Sequence, residues 1–244
     1  MTPKGRGCVL ERQLQLKHPM KRLALHQWHI KHGARMVESG GWQVPAAYTD
    51  VEREIAAART GLALADISAF AKVSLVGAGV AELARELTHG DAALLPRRVA
   101  GLAGPGDVLA CRIAEDHLLL LARTTNPAVL DARLAEVGPA VVPNDAAMYQ
   151  AGFCLVGPRL EEVLRQVTGL DVSSVIIPTG SCAQTGVAGV PALLVRPPEC
   201  SVPSAFVHVS WDLAEYVWER LLEAGAEAES LGLDGLRALG LAAM

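Results

Sequence analysis

Few residues in this 244-residue chain have the types and spacing that chemistry requires. His26, His29 and His32 form an HxxHxxH run. Imidazoles bind zinc, but a zinc site needs three or four converging ligands. Steps of three and six residues drift around a helix axis, and no Cys or carboxylate cluster accompanies them, so no metal site is expected. The five cysteines, Cys8, Cys111, Cys154, Cys182 and Cys200, are odd in number, scattered and without a CxxC pair. Reduced thiols in a cytoplasmic protein are the expectation. Asp107 follows Gly104-Pro105-Gly106, where a carboxylate is either a turn residue or a proton acceptor. Arg123 ends an apolar run, where a planar guanidinium is either a solvated strand end or a partner for a carboxylate.

The elements that must position these residues follow from pattern. Residues 33–68 read as strand, turn, helix and strand. Gly40-Gly41 suits positive φ. Thr49 is the expected N-cap, with Glu52 completing a capping box. The helix runs through Glu54 and Ile55 to Arg59, Gly61 is expected as a left-handed C-cap, and Leu62–Ser68 alternate as a half-buried strand. Trp42 and Ile55 are expected in the core. Beyond them, 71–76 reads as a strand and Val80, Leu83, Ala84 and Leu87 as a helix stripe. Strands 107–113 and 117–122 are joined by a hairpin at 114–116. Asn126-Pro127 opens a helix to about Val137, and a strand follows at 140–142. From about Asn144 the pattern restarts: strand 148–156, helix 159–167, two strands around Gly189, strand 205–209, and a helix capped by Ser210 and ended by Gly225. This order predicts an α+β fold with mostly antiparallel sheet, divided into domains at 23–143 and 144–244.

Composition narrows the classes. The chain is 51% hydrophobic but only 4% aromatic, so its core is mainly Leu, Val and Ala. A formal net charge of −4 excludes a large basic field, and nucleic acid is not expected as a partner. No apolar run is long enough to span a bilayer, so no membrane partner is expected either. Residues 1–22 carry Lys4, Arg6, Arg12, Lys17, Lys21 and Arg22 against Glu11 without an apolar stretch, which reads as a flexible basic tail or a start at Met20.

Several motifs in order carry a resemblance: Gly33-Ala-Arg-Met-Val, Gly41-Trp42 with Pro45 and Tyr48, Ala58-Arg59-Thr60-Gly61, and Asp66-Ile67-Ser68. Val156-Gly157-Pro158 and Leu221-Leu222-Glu223-Ala224-Gly225 extend it. The chain resembles the T-protein family, the aminomethyltransferases of the glycine cleavage system. The resemblance implies two T-protein-like α/β units, with the family's third, C-terminal β-barrel domain absent, and tetrahydrofolate held in a central channel. His29 also matches a family histidine, which implies a positional role. Asp107 matches the second Asp of the family's Gly-Gly-x-x-Asp-Asp strand opening, and Gly106 replaces the first. The implied catalytic carboxylate is therefore Asp107, facing the channel beside Arg123 and the Leu62–Ser68 strand.

Departures from the pattern bear on activity. The family's Asp-Val-Ser-His becomes Asp66-Ile67-Ser68-Ala69. A family tyrosine four residues after the Asp is Cys111, and the asparagine ending the next strand is Arg123, although Asn126 matches a second one. No clear counterpart of the tyrosine before the hairpin is found in Arg97–Leu102. The Gly-Tyr-Thr-Gly-Glu motif, whose Glu holds the pterin, gives way to Pro198-Glu199-Cys200-Ser201-Val202-Pro203. Asp107, Cys111, Arg123, Asn126 and Glu199 are thus the candidate folate contacts. Three readings follow: transfer of a one-carbon unit from a small amine-derived donor to tetrahydrofolate; a non-catalytic subunit similar to the small subunit of multi-subunit sarcosine oxidases; or a binding module with a degenerate folate site. Without a third ring domain, a homo-oligomer or a partner protein is expected to complete the channel.

Overall fold

The computed structural model describes residues 20–88, 94–104, 107–135, 137–198, 200–225 and 228–243. β1 (Lys21–Arg22), α1 (His26–Lys31), β2 (Arg35–Ser39) and β3 (Trp42–Ala47) come first, and β1-β3-β2 form a small sheet. The β2–β3 hairpin turns at Gly40 and Gly41, at φ 57° and 79°. A side chain at Gly40 would collide with the Thr125 backbone, so glycine is required there. The chain continues through α2 (Val51–Thr60), β4 (Ala63–Asp66), β5 (Lys72–Val76), α3 (Val80–Leu87), β6 (Arg98–Leu102), β7 (Val108–Ala114) and β8 (His117–Ala122). Next come α4 (Asp131–Leu134), β9 (Val142–Asp145), β10 (Gln150–Val156), α5 (Leu160–Val167), β11 (Ser181–Val187), β12 (Val190–Arg196) and β13 (Ser204–Ser210). α6 (Ala214–Ala224), β14 (Glu229–Ser230) and α7 (Leu233–Ala238) close it.

Eleven strands join one curled sheet in the order β14-β4-β10-β13-β12-β11-β6-β7-β8-β5-β9. Its pairings are antiparallel apart from β14 on β4, so the mostly antiparallel α+β expectation stands. The strands divide their side chains by parity. On β7, Val108 and Ala110 pack with α3 residues, whereas Leu109 and Cys111 face the central core. On β13, Val207 and Val209 meet α5 and α6, whereas Phe206 turns to that same centre. The curled sheet therefore packs α3, α5 and α6 on one face and the central core, with α7, on the other.

Local readings needed correction where partners are remote. Asp50, not Thr49, caps α2: its side chain accepts from the Glu52 and Arg53 N–H groups. The Tyr48 and Thr49 N–H groups are drawn instead to the buried Glu54 carboxylate, at 2.6 and 2.8 Å. Trp42 is buried as expected, but Ile55 is only half-buried and Glu54 takes the inward position. Gly61 leaves the helix at φ −136°, not left-handed, because it turns against Gly157, whose missing Cβ lets the two backbones approach. The helix after Asn126 is a 3-10 turn, Pro127–Leu130, with a single α turn beyond it. β9 starts at Val142, and Ala146–Met148 form a 3-10 turn before β10 begins at Gln150. Ser210 precedes another such turn without a side-chain bond to its backbone. Among the described residues no helix is long and apolar enough to cross a membrane.

Asp50→Ala is expected to lower the unfolding free energy by about 1 kcal/mol and Thr49→Ala by less than about 0.5. Urea midpoints of the two variants check this, and equal losses would return the cap to Thr49.

Candidate functional site

The candidate site lies at the end of the β7–β8 hairpin remote from its turn. Asp107 precedes β7 at φ 50°, a left-handed conformation rare for residues with a side chain and best tolerated by Asp and Asn. Its carbonyl accepts the Arg123 N–H, and its carboxylate forms an ion pair with the Arg123 guanidinium. Arg123 is itself fixed: Nη1 donates to the Gly240 carbonyl at 3.0 Å, and its own carbonyl accepts the Ala243 N–H at 2.7 Å. The guanidinium side chain is 11% exposed and the Asp107 side chain 41%. A covered cation thus holds a carboxylate that still faces outward. The Arg123 Nε is buried without a partner among the described residues.

The other sequence candidates do not join that contact. Cys111 shares the face of Asp107 two strand steps on, but it is fully buried in the central core. Burial, then the neighbouring Cys182, pushes its thiol well above the usual range, so it offers a ligand neither surface nor thiolate. Asn126 is exposed and its Oδ1 accepts the Ala128 N–H at 3.1 Å, a capping role. Glu199 lies outside the described residues. The Leu62–Ser68 expectation resolves into β4 and a continuation that reaches Ala71, which exchanges backbone hydrogen bonds with Ala122 and Thr124 beside Arg123. No group of three or more His, Cys, Asp or Glu among the described residues could hold a metal.

The model of the GCVT N-terminal domain matches residues 25–244. The chain belongs to this family. Among curated relatives, the aminomethyltransferase of Geobacillus thermodenitrificans is 30% identical over 235 residues, which is 92% of this chain and 62% of the relative. That of Thermus thermophilus is 29% identical, over 89% of this chain and 65% of the relative. The chain thus spans less than two thirds of their length. In fold it is similar to aminomethyltransferase T of the glycine cleavage system from Bartonella henselae, with TM-score 0.71 and 22% identity over 90% of this chain and 62% of that one. It is also similar to a chain of the heterotetrameric sarcosine oxidase from Corynebacterium sp. U-96, with TM-score 0.56 and 21% identity over 78% of this chain and 95% of that one.

In this GCVT domain the HxxHxxH run separates into different roles. His32 is exposed and stacks on Trp28 at 3.7 Å between ring centres. His29 is buried, with Nε2 2.9 Å from Asp66 Oδ2 and Nδ1 2.6 Å from the Tyr48 hydroxyl. With Asp66 accepting from Nε2–H, Tyr48 donates to Nδ1. Ser68 N–H meets the other Asp66 oxygen at 2.8 Å. Sequence reasoning missed Lys72, which is 1% exposed and whose Nζ donates to the Ser68 and Phe70 carbonyls. Burial lowers its pKa to about 8. The available signal was a cation within the apolar stretch from Ala71 to Val76.

Burial, then the charges of Asp66 and Glu54, raises the Tyr48 pKa well above 10.0. Folded Tyr48 keeps its proton where the unfolded chain has lost it, so its contribution is complete below about pH 10 and declines as pH rises further. Tyr48→Phe is expected to cost about 1 kcal/mol near neutrality and to flatten the alkaline loss. Thermal melts from neutral to strongly alkaline pH check both, and an unchanged alkaline slope would contradict the assignment.

Proposed function

We propose that this GCVT-domain chain binds tetrahydrofolate and transfers a one-carbon unit to it from a small amine-derived donor, with Asp107 as the catalytic residue. The observation that carries this reading is the Asp107–Arg123 pair: a backbone held at positive φ and a covered guanidinium together aim a half-exposed carboxylate. Strained backbone conformations concentrate at functional sites. The fit to a folate is partial. Asp107 offers an acceptor, whereas the Arg123 Nε is buried and Cys111 is closed off in the core. Asn126 and Glu199 remain candidate contacts, the first through the part of its amide that does not cap the turn.

Tetrahydrofolate, when bound, supplies the nitrogen nucleophile that takes up the carbon unit. Asp107 would accept a proton from that nitrogen at a carboxylate oxygen and return it to the amine that leaves as the donor's carbon–nitrogen bond breaks, while Arg123 keeps the carboxylate in one orientation. Arg123 in turn is held by the Gly240 carbonyl, so the C-terminal turn also positions the acid–base group. We assign residues 23–143 and 144–244 to two units that share the sheet, and expect a second copy or a partner protein to complete the folate channel. The free thiols of Cys111, Cys154, Cys182 and Cys200 support a cytoplasmic location.

A second reading is a non-catalytic subunit of an amine-oxidising complex. It is favoured by the match that spans 95% of a sarcosine oxidase chain. Asp107→Asn separates the two. On the transferase reading, tetrahydrofolate binding by calorimetric titration survives within a few-fold, and turnover with methylated amines falls by about 10²–10⁴. On the subunit reading, the substitution leaves partner assembly intact and there is no turnover to lose. Absence of tetrahydrofolate binding by the parent protein, with its natural partner present, would reject the transferase.

A further inference from the structure

A cavity of about 470 Å³ lies toward the opposite end of β7 from Asp107, where β7 turns into β8. Ile113, His117, Gln150, Thr185, Leu193 and His208 are among its walls, and neither Asp107 nor Arg123 lines it. Asp107 and Ile113 are about 20 Å apart along an extended strand. It is therefore a place distinct from the candidate catalytic pair.

Two observations mark it as built for a ligand. His208 is 2% exposed, yet neither ring nitrogen has a partner among the described residues, and Gln150 Oε1 is likewise buried without one. Buried polar groups are ordinarily paired, so these atoms await something. The ring also has space made for it. His208 on β13 stands opposite Gly152 on β10, and a Cβ at that glycine would lie 2.9 Å from the His208 Nδ1. Glycine at 152 lets the imidazole lie flat over the neighbouring strand.

The chemistry of the walls defines the occupant. Among the described residues the lining includes no carboxylate, lysine or arginine. Burial, then the nearby Lys72 charge, lowers the His208 pKa to about 3, so the ring is neutral, with one N–H donor and one lone pair. His117 already bonds Ser74 Oγ through Nε2 at 2.8 Å. A charged ligand would find no ion-pair partner in that lining, and the Lys72 charge acts on His208 from outside it. Ile113, Leu193 and Val209 add apolar wall to these polar groups. We propose that this cavity binds a small neutral molecule with an amide-type donor–acceptor edge on an apolar body, read by His208 and Gln150.

The test is NMR titration of the full chain with benzamide, benzoate and benzylamine, following the His208 ring nitrogens and the Gln150 side-chain amide. Benzamide is expected to shift both sets saturably. His208→Leu and Gln150→Leu are each expected to weaken it by about tenfold, the loss of a well-made hydrogen bond. Gln150→Leu keeps the test decisive where the His208 variant folds poorly. Asp107→Asn is expected to leave benzamide binding unchanged. The proposal is overturned if no probe saturates at His208 and the cavity holds water alone. It is equally overturned if benzoate or benzylamine binds as tightly as benzamide, or if Asp107→Asn abolishes binding.

Discussion

The Asp66 carboxylate has no surface left for water and must find its donors inside the protein. A buried charge without donors is strongly destabilising, so the fold has to bring them. His29 arrives from α1, Ser68 N–H from the turn after β4, and Tyr48 holds the far side of the imidazole. Ser68 then passes the constraint on. Its Oγ accepts the Gly152 N–H at 3.0 Å, and Ile67 N–H meets the Gly152 carbonyl, locking this turn to β10. Three residues further, Ala71 pairs with the chain on either side of Arg123. One carboxylate thus fixes the path from the amino-terminal helix to the candidate site. Glu54 does similar work on the other side, where Tyr48, Thr49 and Gly232 all donate their N–H groups to it.

The candidate site inherits its geometry from that frame. Arg123 cannot follow Asp107 outward, because its guanidinium and carbonyl are tied to Gly240 and Ala243. Asp107, in its left-handed conformation, is fixed by its own backbone bond to Arg123. Such preorganisation is what acid–base chemistry requires, since a wandering carboxylate loses its alignment with the reacting nitrogen. The same rigidity would serve an assembly surface. Membership of the GCVT family identifies the scaffold, and the proposed chemistry rests on this pair.

Much of the architecture was legible from local pattern. The β7–β8 hairpin, the helices at 80–87 and 160–167, and the glycine turn at 40–41 all depend on neighbours a few residues apart, and those neighbours are written in order. The resemblance carried Asp107 and Arg123 to the same place, and the structure brings them together. The cap of α2 was misread because Thr49 and Asp50 are both competent caps, and the choice belongs to Glu54, which removes the Thr49 N–H from the contest.

What the sequence alone determined, then, was the type of most elements, the α+β class and the family; periodicity, capping and turn chemistry are short-range properties. The tertiary structure decided which polar groups are buried and what they meet. His29 and Asp66 are 37 positions apart, Glu54 and Gly232 178. His208 becomes a cavity wall only because strands from both halves of the chain curl one sheet around it. No local window contains those partners, and the free energy that pairs them exists only once the sheet has formed.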